Sequence, residues 1–192
     1  MIRKRFFDDV ILFEPTIYKD KRGLFFQSFD WDVQGLIRKP FVQDNHSYSH
    51  KSVIRGLHYQ WDRPMGKLVR VVRGAAIDYF VDIRKDSPTY GQYASVELNT
   101  ENHHMVWIPG GFAHGFISLA DHTTVLYRCT SFYNAEGESG INIFDPDINI
   151  KWPIPSSEAI ISDKDRDAQS LQEYSRDIKF RIEDNEFSGD LT

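Results

Sequence analysis

Cys129 is the only cysteine in the chain, which excludes an internal disulfide framework and a thiolate zinc site within one chain and fits a reducing, cytoplasmic setting. Cationic excess is also missing. With a formal net charge of −5 there is no broad basic face to displace counterions from nucleic acid, so no nucleic-acid partner is expected and any anion must be held locally. No apolar run approaches the length of a membrane span, so no membrane partner is expected. Residues 1–9 mix Arg3, Lys4 and Arg5 with Phe6, Phe7, Asp8 and Asp9, and no apolar leader core follows them, so no secretory leader is expected. Absent too is a Gly-x-Gly-x-x-Gly turn between a strand and a helix, so no redox cofactor is implied.

What the chain does have is core material: 41% hydrophobic and 14% aromatic residues across 192 positions, enough for one sizeable domain. The apolar runs are short, rich in Val, Ile, Phe and Tyr, and broken by turn residues, which predicts strands rather than long helices. Strands are expected over 10–14, 23–29, 41–49, 52–59, 68–73, 75–83, 93–98, 104–108, 115–118 and 123–132, with short helices over 31–36 and 167–174. So many closely spaced strands in one domain predict a mainly β sandwich or barrel of the jelly-roll kind. Residues 1–180 read as that single domain. Residues 181–192, with Glu183, Asp184, Glu186 and Asp190, read as an acidic, disordered tail.

The chemistry concentrates between Arg55 and Lys67, where Arg55-Gly56-Leu57-His58-Tyr59-Gln60 is followed by Met65-Gly66-Lys67-Leu68. An imidazole set between two cations outlines an acid/base site that handles an anion, because histidine exchanges protons near neutrality while arginine and lysine bind phosphate or an oxyanion. A strand histidine is more often simply packed or exposed, so spacing alone leaves His58 open. The same holds for His114, in Pro109-Gly110-Gly111-Phe112-Ala113-His114. His46, His50, His103, His104 and His122 sit beside polar or turn residues and read as surface histidines.

The spacing Pro109-x-Gly111-x-x-His114 resembles the second motif of the cupins, small jelly-roll barrels. The first cupin motif is broken here: Gln60 stands where a metal-binding cupin has a second histidine, and Lys67 would repel a cation, so no metal is expected. A closer resemblance covers about residues 10 to 175. The blocks Asp20-Lys21-Arg22-Gly23-Leu24-Phe25, Val42-Gln43-Asp44-Asn45-His46-Ser47, Arg55-Gly56-Leu57-His58-Tyr59-Gln60, Gly66-Lys67-Leu68-Val69-Arg70, Val81-Asp82-Ile83-Arg84, Ser87-Pro88-Thr89-Tyr90-Gly91, Trp107-Ile108-Pro109, Gly111-Phe112-Ala113-His114-Gly115-Phe116 and Ser162-x-Lys164-Asp165 resemble, in order, the dTDP-4-dehydrorhamnose 3,5-epimerase family.

That resemblance implies a cupin-type jelly-roll β-barrel with short flanking helices. It also implies an isomerase that inverts C3, C5 or both in a nucleotide-linked 4-keto-6-deoxy sugar, without a cofactor. By the same resemblance His58 is the general base, Asp165 its partner, Tyr127 the acid on the opposite face and Lys67 the stabiliser of the enolate. Arg55 is implied at the diphosphate, with Arg22 reaching it from the partner of a homodimer whose N-terminal strand is exchanged. Gln27, Gln43, Asn45, His114 and Lys164 are implied as substrate contacts, and Phe132, followed by Tyr133, as the face that stacks on the base. Gln27 replaces a frequent glutamate, Met65 a common glutamine and Phe132 a common tyrosine. From the residues alone, Asp165 reads as one more solvated acid and Tyr127 as a core or rim tyrosine. The rival readings are a 3-only or 5-only epimerase, a metal-dependent cupin and a sugar-binding cupin without activity.

Overall fold

The computed structural model describes residues 2–182. Its strands are β1 (Ile2–Phe6), β2 (Val10–Phe13), β3 (Tyr18–Asp20), β4 (Gly23–Phe25), β5 (Gln43–Ser49), β6 (Ile54–Gln60), β7 (Lys67–Arg73), β8 (Ala75–Asp82), β9 (Arg84–Lys85), β10 (Tyr93–Asn99), β11 (Met105–Ile108), β12 (Phe112–Ser118), β13 (Thr123–Cys129), β14 (Glu138–Gly140) and β15 (Phe180–Arg181). Three short helices, α1 (Trp31–Ile37), α2 (Asp163–Arg166) and α3 (Leu171–Tyr174), complete the regular structure with one 3-10 turn at Ser156–Glu158.

Two antiparallel sheets face each other as a jelly roll. One runs β1-β2-β11-β7-β13-β5, the other β10-β8-β12-β6-β14, and strand pairing does not join them into a closed cylinder. Side-chain alternation along each strand sorts residues to two faces. Val69, Val71, Val106 and Val125 of the first sheet meet Ala76, Phe80, Phe112 and Phe116 of the second and fill one part of the space between them. Fully burying an aliphatic or aromatic side chain of this kind contributes ~1.5–3 kcal/mol, so this contact holds the sheets together. On the outer face of the second sheet, Ile54, Leu57, Tyr59, Tyr79 and Val81 pack against Ile141, Ile143, Leu171, Tyr174 and Phe180. On the outer face of the first, α1 sets Val33 and Ile37 over Ile11, Met105 and Trp107.

Two of the family-like blocks are structural. Asp82 accepts hydrogen bonds from Arg84 Nε (2.9 Å) and Nη2 (2.7 Å), from Ser87 Oγ (2.6 Å) and from Thr89 Oγ1 (2.7 Å), while Arg84 also pairs with Asp9. Burial alone would raise the Asp82 pKa; these donors outweigh it and lower it.

Several expectations need correction. The strand expected over 23–29 stops at Phe25, as the second arm of an exposed hairpin with β3. The strand expected over 123–132 ends at Cys129, and the one expected over 115–118 begins earlier, at Phe112. The helix expected over 167–174 is only Leu171–Tyr174, because Ser170 closes a capping box with Glu173 there. A separate turn, α2, begins at Ser162, whose side chain caps Asp165 N. Arg181, counted with the acidic tail, pairs in parallel with Lys85 in β15–β9; residues 183–192 of that tail lie outside the described residues.

Candidate active site

A cavity of about 580 Å³ opens between the sheets, where polar side chains replace the apolar filling. The second sheet contributes Arg55, His58, His114 and Glu138, the first contributes Ser47, Lys67 and Tyr127, and α2 with its cap adds Ser162, Lys164 and Asp165. Of the expected site residues, Arg55, His58, Lys67, His114, Tyr127, Lys164 and Asp165 therefore meet at one place.

Local backbone geometry sets the two residues that opened the question. Arg55 and His58 are three apart, so strict alternation would send them to opposite faces of β6. Both nonetheless line the cavity. Opposite them on β12, His114 pairs with His58 and Phe116 with Arg55, so β6 carries one extra residue: a bulge that re-aims the strand. Gly56 sits in it at φ +135°, and a Cβ there would lie 2.5 Å from Gly115 Cα. The glycines of the Arg-Gly-Leu-His and His-Gly-Phe blocks are thus required by close backbone approach.

His58 Nε2 lies 2.7 Å from Asp165 Oδ1. The carboxylate, an acceptor only, holds the proton on Nε2 and leaves the ring lone pair on Nδ1. Asp165 is 4% exposed, and its Oδ2 also accepts from Gly56 N at 3.3 Å. Burial would raise its pKa, but the His58 hydrogen bond and charge, with Gly56 and Ser162, lower it. Asp165 is ionised at neutral pH and orients the ring, as carboxylates do for catalytic histidines.

His114, 7% exposed, sits against Asp78, its Nε2 2.9 Å from Oδ2. Burial lowers its pKa against the opposing pull of Asp78, and Lys67 and His58 lower it further. Lys67 opens β7 opposite Cys129. Burial lowers the pKa of its ammonium, with Cys129, Glu138 and Asp78 pulling the other way, and no hydrogen bond or ion pair reaches the ammonium among the described residues. A partly buried lysine with no paired acid in a cavity is suited to a developing anion. Tyr127, opposite Asn45 on β5, has its pKa raised, chiefly by burial, so it stays a proton donor.

The remaining expected residues are not among those lining this cavity. Gln43 and Asn45 point inward from β5, bonded to each other at 2.8 Å. Gln43 Oε1 accepts from Tyr133 N at 2.9 Å, so this group forms a rim. Phe132 and Tyr133 are exposed. Gln27 is exposed, and Arg22 projects from the β3–β4 hairpin paired with Asp20.

Two site residues escaped the sequence reading. Asp78 could have been found as a lone carboxylate inside the apolar run Ala75-Ala76-Ile77-Asp78-Tyr79-Phe80. Glu138, in a segment read as loop, pairs with Lys164 and accepts from Tyr133 Oη at 3.0 Å. Burial opposes its ionisation, but Lys164, His58 and Tyr133 outweigh it and lower its pKa. Nothing local in the sequence marked it. Among the described residues no group of three or more histidine, cysteine or acidic side chains is placed to hold a metal ion.

A family model described as dTDP-4-dehydrorhamnose 3,5-epimerase matches residues 5–173. The dTDP-4-dehydrorhamnose 3,5-epimerase of Methanothermobacter thermautotrophicus is 47% identical over 169 residues, 86% of this chain and 91% of the relative. That of Shigella flexneri is 48% identical over 167 residues, 85% of this chain and 91% of the relative. Among solved structures, the dTDP-6-deoxy-D-glucose-3,5-epimerase of Legionella pneumophila in complex with dTDP-4-keto-L-rhamnose superposes with a TM-score of 0.88 at 41% identity, covering 94% of this chain and 97% of that one. A 3'-monoepimerase from Streptomyces bikiniensis in complex with dTDP-quinovose superposes with a TM-score of 0.85 at 31% identity, covering 92% and 91%.

Proposed function

The chain belongs to the dTDP-4-dehydrorhamnose 3,5-epimerase family, and from that premise we propose that it inverts C3 and C5 of a dTDP-linked 4-keto-6-deoxy sugar, in the cytoplasm, as a step of dTDP-rhamnose formation. The observation that carries the reading is that His58 and Tyr127 stand on opposite sheets across one cavity. A 4-ketone acidifies the hydrogens on C3 and C5. His58 removes one of them, Lys67 steadies the enolate at O4, and Tyr127 returns a proton to the other face. Asp165 stabilises the imidazolium formed in between. His114 and Lys164 contact the sugar or phosphate, Arg55 the diphosphate, and Gln43, Asn45, Phe132 and Tyr133 the nucleoside. Only protons move, so the step needs no redox or metal cofactor.

Incubation with dTDP-4-keto-6-deoxyglucose in deuterated water tests this. NMR should show deuterium at both C3 and C5. Label at one carbon narrows the enzyme to a 3- or 5-epimerase, and no label defeats the proposal. Tyr127→Phe should keep exchanging hydrogen while losing inverted product, since abstraction does not use that hydroxyl.

The working unit is a homodimer. Tyr18, Leu24 and Phe25 of the β3–β4 hairpin are exposed, and β5 is an edge strand of its sheet, so the hairpin of a second copy would cover an open edge and bring Arg22 and Gln27 to the neighbouring site. Mixing equal amounts of inactive Arg22→Ala and His58→Ala proteins under exchange should restore about a quarter of the activity, because about half the dimers are then hybrids and one of the two sites in each is intact. No recovery would mean that Arg22 does not act across subunits.

A further inference from the structure

Arg55 is held in an unusual way for a surface-accessible arginine. Its Nε donates to Ser49 Oγ at 3.1 Å and its Nη2 to the Tyr48 carbonyl at 3.1 Å. No carboxylate pairs with it among the described residues. Both acceptors are neutral, so the guanidinium is fixed in place without its charge being spent. Ser49, only 2% exposed, ends β5 in one sheet, while Arg55 lies on β6 in the other. The two bonds therefore tie the sheets together at the cavity mouth. The link between them is itself pinned, with Lys51 N donating to Asp121 (3.0 Å) and Ser52 N to the Ser118 carbonyl (2.9 Å).

A guanidinium has five N–H donors in one plane. With Nε and one Nη2 hydrogen engaged, Nη1 and the second Nη2 hydrogen remain as a fork for two phosphate oxygens. We propose that Ser49 is the positioning residue for diphosphate recognition: it acts through Arg55, pre-setting the fork, and touches no substrate itself. The proposal rests on the reading of Arg55 as a diphosphate contact. An unanchored arginine loses its rotamer freedom on binding, so pre-setting it is worth roughly 3- to 10-fold in affinity.

The experiment is calorimetric titration of dTDP and of thymidine into the wild type, Ser49→Ala, Arg55→Ala and the double variant, with steady-state kinetics alongside. Ser49→Ala should weaken dTDP roughly 3- to 10-fold and raise KM by the same factor, with kcat and thymidine binding held. Adding Ser49→Ala to Arg55→Ala should change nothing further. Equal losses for thymidine and dTDP, or the same loss in the Arg55→Ala background, overturn the proposal. An Arg55→Ala effect on dTDP with none from Ser49→Ala overturns the proposal alone; no effect from Arg55→Ala overturns the reading of Arg55 as well. Should Ser49→Ala not fold, Ser49→Cys, which fills the space with a weak acceptor, gives the same readings.

Discussion

His58→Ala should lower the rate of substrate hydrogen exchange in deuterated water by about 10²- to 10⁴-fold, the usual weight of a positioned general base, and at C3 and C5 together. The joint loss follows from the site having one oriented base. His58 is fixed by the 2.7 Å bond to Asp165, and Asp165 in turn by Gly56 N and the Ser162-capped turn. The other cavity histidine, His114, is committed to Asp78 and lies on the same sheet. Exchange at C3 and C5 in the wild type and the variant, followed by NMR at equal protein concentration, decides the matter. Wild-type exchange in His58→Ala would remove the base assignment. Loss at one carbon only would mean that a second base serves the other.

Lys67→Met should lower kcat by about 10²- to 10³-fold, the range found when a single oxyanion partner is lost, while raising thermal stability. Both effects have one cause. The ammonium lacks a hydrogen-bond or ion-pair partner among the described residues and its pKa is lowered by burial, so the fold carries the cost of a partly buried, unpaired lysine that the enolate relieves only during the reaction. The sign can be checked by pH. A lysine whose folded pKa lies below its unfolded value binds fewer protons folded than unfolded in the interval between them, so stability rises with pH there. Wild-type stability should climb as pH passes from the lowered folded value towards the ordinary lysine range, and Lys67→Met should lack that climb. Kinetics at saturating substrate and melting curves across alkaline pH test both halves. A variant that is as active as wild type, or less stable throughout, would end this account of Lys67.

Much of the strand layout was legible in sequence because short apolar runs and turn residues act locally. Boundaries failed where a distant contact or a cap decided them. Phe180 and Arg181 form a strand only because β9 lies alongside, and α2 and α3 separate because Ser162 and Ser170 each start their own turn. At the site, the family-like blocks picked out His58, Lys67 and Asp165, whereas from the residues alone Asp165 reads as one more solvated acid beside Asp163; the fold sets it against His58. Glu138 was invisible because its meaning comes from Lys164 and Tyr133, side chains that only folding brings to it.

The sequence by itself determined the β architecture, the family and most of the chemical groups, since residue types, spacing and local pattern carry these. The tertiary structure decided which groups share a cavity and from which side. The bulge at Gly56 turns Arg55 and His58 to one face, and opposed sheets set His58 across from Tyr127. The fold places Lys67 in the cavity with no acid paired to it among the described residues, and ties His114 to Asp78. The physical reason is that pKa shifts and opposite-face geometry depend on desolvation and on neighbours from distant strands, quantities that no stretch of sequence contains.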